Sequence, residues 1–128
     1  MKENNINEVL IVGLPNSGKS TLVNVLTSKK VSIIGSSPNT TRDKVSTLSK
    51  IDNKTIKISD LPGYLENPDE FNLKFQNKLD EYIKEAEIIL FVIDVHSKNF
   101  KALDKLNKII RKSKNKTVFT IFNKCENF

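Results

Sequence analysis

The sequence predicts an α/β fold in which a mostly parallel sheet carries helices on both faces and includes one antiparallel hairpin. Two observations predict this class. Apolar runs without polar alternation, at residues 8–13 and 88–94, are typical of strands that are covered on both faces. Between these runs, apolar side chains recur every three or four residues, which is the spacing of helices. Because strands alternate with helices along the chain, most of the strands are expected to run parallel.

The first strand and the first helix are predicted from residues 8–13 and 19–29. Residues 8–13 are mainly apolar, include β-branched side chains and end in glycine, as expected for a short buried strand. Residues 19–29 carry Leu22, Val25 and Leu26 at helical spacing, so this segment is predicted to form a helix with one apolar face.

A hairpin is predicted in the next part of the chain. Residues 31–35 form a short extended segment, and residues 36–43 are polar and rich in turn-forming residues, which indicates a loop. Residues 45–51 and 55–60 then alternate apolar and polar side chains, as half-buried strands do. Between them, residues 52–53 are Asp-Asn, a pair that suits a tight hairpin turn.

The second half of the chain continues the alternation of helices and strands. A helix is predicted at 70–86, a strand at 88–94, a further helix at 98–113 and a last strand at 117–122. The apolar side chains that define the helix at 70–86 are Phe71, Phe75, Leu79, Ile83 and Ala86. The later helix is defined by Phe100, Leu103, Leu106 and Ile110. We therefore expect both helices to bury one face against the sheet.

The composition is that of a soluble globular protein. The 128 residues are 38% hydrophobic and 28% charged, and no apolar run approaches the roughly 20 residues of a membrane span. A single cysteine and an N-terminus without a secretory pattern favour the cytoplasm. The net charge of +6 suggests a polyanionic partner, either nucleotide or RNA, but a lysine-rich composition explains it equally well.

The stretch from Gly13 to Thr21 fits the phosphate-binding template of glycine, any four residues, then Gly-Lys-Ser/Thr. Its glycines allow backbone angles at which successive N–H groups turn inward around a phosphate. Lys19 is expected to reach the outer phosphates, and the hydroxyl of Ser20 is expected to bind Mg²⁺. The residues predicted to bind nucleotide here are Gly13, Asn16, Ser17, Gly18, Lys19, Ser20 and Thr21. The plainer alternative is an ordinary glycine turn between a strand and a helix.

Two further segments carry residues suited to a nucleoside triphosphate and its metal. Asp60 and Gly63 fit the Asp-x-x-Gly element, in which the carboxylate holds a Mg²⁺-bound water and the glycine N–H senses the terminal phosphate. In the polar loop, Thr41 is predicted to close over Mg²⁺ and the γ-phosphate and to move away after hydrolysis. The alternatives are a common turn at residues 60–63 and an ordinary polar surface loop.

The end of the last predicted strand carries a motif suited to reading guanine. Asn123 is expected to meet the base edge, and the stem of Lys124 to pack on the ring. The carboxylate of Glu126 would pair with the ring N–H and the amino group. Aspartate is the usual residue at that place, so the longer glutamate is expected to weaken base discrimination by roughly 1–3 kcal/mol. The alternative is a polar strand exit.

The polar residues of these motifs share one position in the predicted sheet. The glycine-rich stretch follows the first strand, Asp60 ends the returning strand of the hairpin, and Asn123 follows the last strand. Ligands of open α/β sheets bind at the carboxyl ends of the strands. We therefore expect the three motifs to meet at one edge of the sheet and to form one site.

Together the motifs resemble those of the superfamily of translational GTPases that contains Era, the tRNA-modification GTPases and Der (EngA). The resemblance spans nearly all of the chain. The stretches that carry it are Gly-Leu-Pro-Asn-Ser-Gly-Lys-Ser-Thr-Leu-Val-Asn, Pro-Asn-Thr-Thr-Arg-Asp, Asp-Leu-Pro-Gly-Tyr and Asn-Lys-Cys-Glu. Residues 85–94 and 111–118 are similar to the Der branch in particular.

The resemblance implies that the chain binds GTP or GDP with Mg²⁺ and acts in ribosome biogenesis on the large subunit, with a ribosomal subunit or its rRNA as partner. It also implies that Asn16 helps to bind K⁺, which would stand where other GTPases place an arginine finger. Tyr64 occupies the place where many GTPases have a water-orienting glutamine. The residues implied to support catalysis are therefore Lys19, Thr41 and Asn16.

Residues 1–128 are expected to form a single GTP-binding domain that is truncated at its C-terminal end. In the family, a further helix, a Ser-Ala-x loop, an edge strand and a final helix would follow the guanine-reading motif, and the sequence contains none of them. We therefore expect one face of the sheet to be partly uncovered and the stability of the chain to be reduced.

Three functions besides a GTP-hydrolysing switch are compatible with the sequence. The chain could be a module that binds RNA or the ribosome and binds nucleotide weakly. It could be a truncated remnant that does not hydrolyse GTP, an alternative motivated by Glu126 and the missing C-terminal elements. An ATP-using kinase is least favoured, because Asn123-Lys124 and the threonine loop do not suit it. The basic side chains along the last helix are interpreted mainly as a solvated face.

Overall fold

The computed structural model describes residues 7–27, 30–34 and 44–123. Within these ranges the chain forms six strands and four helices. The strands are β1 (Asn7–Gly13), β2 (Lys30–Ile34), β3 (Val45–Ile51), β4 (Lys54–Asp60), β5 (Ile88–Asp94) and β6 (Thr117–Asn123). The helices are α1 (Lys19–Leu26), α2 (Glu70–Asn77), α3 (Leu79–Glu85) and α4 (Phe100–Arg111).

The strands form one sheet in the order β2-β3-β4-β1-β5-β6. β1 pairs in parallel with β4 and with β5, and β5 pairs in parallel with β6. The predicted hairpin is the antiparallel pair β3 and β4, whose turn residues Asp52 and Asn53 have φ of 50° and 66°. β2 adds a second antiparallel pairing, with β3, to the one that the sequence predicts. The predicted α/β class with a mostly parallel sheet is confirmed.

Helices cover both faces of the sheet. Successive apolar side chains of β1 point to opposite faces, so each face needs helices to bury it. Leu10 and Val12 pack with the buried residues of α2, α3 and α4 on one face. Ile11 lies in a second cluster on the other face, against which Leu22 and other apolar side chains of α1 pack. Burial of each such side chain stabilises the fold by about 1.5–3 kcal/mol. The carboxyl ends of the parallel strands therefore lie at one edge of a sheet held from both sides.

The sequence predicts one continuous helix at residues 70–86, and this prediction was wrong, because the segment forms two helices, α2 and α3. The break is at Lys78, whose N–H bonds to the carbonyl of Phe75 at 2.9 Å in a tighter turn than an α-helix makes. The apolar spacing continues through the break, because Phe75, Leu79 and Ile83 are all buried in the same cluster. Periodicity alone therefore could not detect the interruption.

The helix predicted at residues 98–113 is shorter at both ends. Asn99 caps it, since its side-chain oxygen accepts a hydrogen bond from the N–H of Ala102 at 3.2 Å. Phe100 then lies at the first helical position and is 70% exposed, although its spacing suggested a place on the buried face. Two positions later in the same turn, Ala102 is buried in the core, so the buried face of α4 passes through Ala102, Leu106 and Ile110 and leaves Phe100 outside.

The first helix is also shorter than predicted. α1 ends at Leu26 with Thr27 as its C-cap, and residues 28–29 lie outside the described residues. Val25 is largely exposed, whereas Leu22 and Leu26 pack against the core. Among the residues that the structure describes, no helix is long and apolar enough to cross a membrane.

Candidate functional site

The predicted phosphate loop connects β1 to α1 at the carboxyl end of β1. Two of its residues adopt positive φ: Asn16 at 63° and Gly18 at 88°. Glycine takes such angles without strain, and asparagine is among the few other residues that tolerate them. Gly18 is the N-cap of α1 and makes no side-chain cap hydrogen bond. The N–H groups of the first turn thus face the loop, which is the arrangement that favours an anion.

Two glycines bring the loop into close contact with its neighbours. A Cβ on Gly13 would lie 2.8 Å from Ser17 Oγ and 2.8 Å from the carbonyl oxygen of Val92. A Cβ on Gly63 would lie only 2.6 Å from the backbone nitrogen of Pro15. The segment that follows Asp60 therefore packs directly on the phosphate loop, at a distance that only glycine permits.

Lys19 and Asp60 meet as their strand positions predict. The Lys19 ammonium donates to Asp60 Oδ1 at 3.1 Å and to the carbonyl of Leu61 at 2.9 Å. Both side chains are at least half buried. The sequence suggested separate partners, with the lysine on phosphate and the carboxylate at Mg²⁺, whereas in this structure the two groups bind each other. An anion and a cation at this site would compete with that ion pair.

Asn123 ties the end of β6 to the phosphate loop. Its Nδ2 donates to the carbonyl of Ser17 at 3.1 Å, and its own carbonyl accepts from the N–H of Val95 at 3.0 Å. The sequence predicts a contact with a base edge, and it gave no sign of this tether. Lys124, Glu126 and Thr41 were also predicted to belong to the site, and all three lie outside the described residues.

The donors and acceptors around the loop fit a magnesium nucleotide. Ser17 Oγ is buried and has no hydrogen-bond partner among the described residues, so an unused polar group lies inside the loop. Ser20 and Thr21 lie in the exposed first turn of α1. The hydroxyl of Ser20 and the carboxylate of Asp60 are hard oxygen ligands of the kind that Mg²⁺ prefers.

A cavity of about 180 Å³ lies beside the loop. It is lined by loop residues 14–17, by residues 92–94 at the end of β5, and by Ser97 and Leu103. The sequence gave no signal for Ser97 or Leu103, because they reach the loop only through the turn after β5 and the packing of α4. The cavity extends the polar edge of the sheet into a partly apolar recess.

Tyr64 also lies at this edge, and its backbone N–H donates to the carbonyl of Gly13 at 2.9 Å. Burial raises the pKa of its phenol, and the negative charge of Glu66 raises that pKa further. The phenol therefore stays protonated at neutral pH and is not suited to act as a general base.

Comparison with known proteins adds to this geometry. A family model described as 50S ribosome-binding GTPase matches residues 8–124. The GTPase Der of Rickettsia bellii is 36% identical over 118 residues, which cover 92% of this chain and 26% of the relative. The GTPase Era of Ureaplasma urealyticum is 35% identical over 118 residues, which cover 92% of this chain and 39% of the relative.

One solved structure is similar to this chain in both sequence and fold. It is Era in complex with MgGDPNP and nucleotides 1506–1542 of 16S ribosomal RNA, with a TM-score of 0.71 and 34% identity over 93% of this chain and 40% of that chain. The chain thus spans about a quarter to two fifths of the length of these relatives. Der and Era relatives match almost equally, so the comparisons do not favour the Der branch that the sequence suggested.

Proposed function

The chain belongs to the family of 50S ribosome-binding GTPases, and we propose on this basis that it binds GTP and GDP and hydrolyses GTP as a molecular switch. One observation carries the proposal: side chains from three separated parts of the chain meet at the phosphate loop. Lys19 contacts Asp60 at 3.1 Å, and Asn123 contacts the Ser17 carbonyl at 3.1 Å. A glycine turn without a ligand gives no reason for this convergence.

The residues of the site would have different roles in binding the phosphates and Mg²⁺. The N–H groups of the loop and of the first turn of α1 would bind the phosphates, and Lys19 would exchange Asp60 for phosphate oxygens. Ser20, Asp60 and Thr41 would hold Mg²⁺, which neutralises charge on the phosphate oxygens when it is bound. The N–H of Gly63 would contact the terminal phosphate.

Guanine would be read at the end of β6. Asn123, Lys124 and Glu126 carry the expected chemistry, and the tether from Asn123 to Ser17 supports the proposal because it would couple the base-reading motif to the phosphate loop. The longer Glu126 would reduce discrimination between guanine and other bases by roughly 1–3 kcal/mol.

A potassium site is a further part of the proposal. Asn16 would help to hold K⁺ next to the phosphates, where a cation stabilises negative charge that develops during hydrolysis. The exposed position of Asn16 on the loop supports this role.

The partner in the cell would be a ribosomal subunit or its rRNA. Support comes from the description of the matching family, which names the 50S subunit, and the net charge of +6 is compatible with an RNA partner. We propose a role in biogenesis of the large subunit. Cosedimentation with isolated subunits tests this, and binding to the small subunit alone would point instead to an Era-like target, since the solved Era relative holds 16S rRNA.

Calorimetric titration with GDP, GTP and ATP in the presence of Mg²⁺ tests the central proposal. We expect GDP and GTP to bind at micromolar concentrations or below and ATP not to bind. Lys19→Ala should weaken GTP binding at least about tenfold, because a charged hydrogen-bond donor to phosphate is lost. Lys114→Ala, which removes an exposed lysine before β6, is the matched control.

The titration also separates the competing functions. An absence of guanine-nucleotide binding would overturn the proposal and favour an inactive remnant or a module that binds only RNA. Tight binding of GDP and GTP in a chain that releases no phosphate from GTP in a separate turnover assay would favour a binding module or a remnant that does not hydrolyse GTP.

A further inference from the structure

The segment of residues 61–66 lies between the phosphate loop and the helices α2 and α4, and we call it the connecting segment. Its first part rests on the loop, since the N–H of Tyr64 donates to the carbonyl of Gly13 at 2.9 Å. Next to it, Gly63 packs against Pro15 at a distance that leaves no room for a Cβ. The position of the connecting segment is therefore tied to the geometry of the loop.

A side chain of α2 holds the second part of the connecting segment. The N–H of Leu65 donates to Gln76 Oε1 at 2.7 Å, and Gln76 Nε2 donates to the carbonyl of Leu65 at 3.1 Å. One amide side chain thus satisfies both backbone groups of one residue, as a neighbouring strand would. Gln76 is partly buried in the last turn of α2, so water competes with these bonds less than it would at the surface.

A second, weaker attachment comes from α4. The carboxylate of Glu66 lies 3.4 Å from the ammonium of Lys101 and 3.7 Å from that of Lys105. Glu66 is 21% exposed, but Lys101 is 75% exposed, and ion pairs of such exposed lysines contribute little in water. Of the two attachments to the helices, the paired hydrogen bonds from Gln76 are therefore the stronger restraint on the connecting segment.

We infer that Gln76 is a positioning residue that keeps Gly63 next to the phosphate loop and thereby sets the preference of the site for GTP over GDP. The inference rests on the proposed function, in which the N–H of Gly63 contacts the terminal phosphate. Gly63 lies between Leu61, whose carbonyl accepts from Lys19, and Tyr64, whose N–H donates to Gly13. Gln76 holds the next residue, Leu65, so its bonds keep the Tyr64 N–H in place against the loop. Release of Leu65 weakens this attachment and lets Gly63 move away from the loop.

The test compares the affinities of GDPNP and GDP in Mg²⁺ for the wild-type chain and for Gln76→Ala. We expect the ratio of the two affinities to fall about tenfold, since two hydrogen bonds of ordinary strength are lost, while the affinity for GDP changes less than about twofold. Asn77→Ala, at the exposed next position of α2, is the matched control and should leave the ratio unchanged.

Two further variants define the role. Glu66→Gln removes the ion pairs with α4 but keeps the bonds to Gln76, so the ratio should change less than about twofold. Gln76→Glu keeps the acceptor for the Leu65 N–H but places an oxygen against the Leu65 carbonyl, and it should lower the ratio as Gln76→Ala does. It serves as the test if the alanine variant does not fold.

Three outcomes would overturn the inference. An unchanged ratio in a folded Gln76 variant would show that the connecting segment needs no such restraint. An equal loss of affinity for both nucleotides would show a merely structural role. A wild-type chain that binds neither nucleotide would overturn the proposed function together with the inference, whereas the first two outcomes would leave the proposed function standing.

Discussion

At the scale of single residues, the glycines have two roles where the sequence suggested one. Gly13 and Gly63 belong to motifs whose backbone N–H groups suit phosphates. The structure adds that Gly63 lies against Pro15 so closely that a Cβ would come within 2.6 Å of backbone. The contact joins the two motifs physically, so a methyl group at residue 63 would push the connecting segment off the loop.

Tyr64 provides a test of this environment. Burial, and then the charge of Glu66, raise the pKa of its phenol above the usual value of about 10. Because the folded-state pKa is the higher one, the contribution of Tyr64 to the free energy of unfolding is fully present below about pH 10. It is lost as the pH rises through the folded-state pKa.

Ultraviolet titration of the folded protein should therefore show a tyrosine that ionises above pH 10. Tyr64→Phe should remove this late phase, and Glu66→Gln should move it to lower pH, because one of the two causes is gone. Complete ionisation of the tyrosines at or below the usual pKa in the folded wild type would contradict the expectation.

At the scale of elements, a buried carboxylate links β1 to its neighbours. Glu8 lies in the first strand and accepts hydrogen bonds from Lys44 Nζ at 2.9 Å and from Ser59 Oγ. Lys44 precedes β3 and also lies 3.8 Å from Glu85 at the end of α3. Its ammonium stacks over the ring of Tyr82 at 5.0 Å. Strands β1 and β4, the residue before β3 and helix α3 thus share one cluster around the Glu8 carboxylate.

Removal of the lysine should destabilise the fold strongly. The side chains of Lys44 and Glu8 are 15% and 8% exposed, so Lys44→Met would leave a buried carboxylate without its nearest cation. We expect a loss of about 3 kcal/mol or more in the free energy of unfolding, measured with urea. Lys57, whose ammonium lies 4.0 Å from Glu8, would offset part of that loss.

The control for this experiment is Lys50→Met, at an exposed position of β3. That change should stay within about 0.5 kcal/mol of the wild type. Equal stability of the two variants would mean that solvent reaches Glu8 in spite of its burial.

At the scale of the whole molecule, the site exists because parallel strands end at the same edge. β1, β4, β5 and β6 run parallel and place the phosphate loop, Asp60 and Asn123 together. β6 is an edge strand of the sheet, and its side chains Phe119 and Phe122 are exposed. The expected truncation beyond this strand stays a prediction.

The proposed potassium site is tested by GTP hydrolysis, which depends on the whole fold of the chain. GTP hydrolysis should be roughly tenfold or more faster in K⁺ than in Na⁺ at equal ionic strength, because a fitting cation stabilises charge that develops on the phosphates. Asn16→Gly keeps the positive φ of 63° and removes the side chain, so it should abolish the difference between the salts. Equal rates of the wild type in both salts would rule out the potassium role.

The sequence alone determined the features that depend on neighbouring residues. The glycine template between residues 13 and 20 predicts a strand, a loop and a helix, because positive φ and helix starts are local properties of the backbone. The alternation of strands and helices predicts the parallel sheet and its polar edge. These predictions hold because they depend on spacing, which the sequence contains directly.

Only the tertiary structure decided which groups bind each other. Lys19 and Asp60 are 41 positions apart, and Asn123 and Ser17 are 106 positions apart. The bonds between Gln76 and Leu65, and the break at Lys78 inside an unbroken apolar stripe, left no pattern in the sequence. The spacing of apolar residues indicates which face of a helix or strand is buried. Which donor binds which acceptor depends on the distance between elements, and only their packing sets that distance.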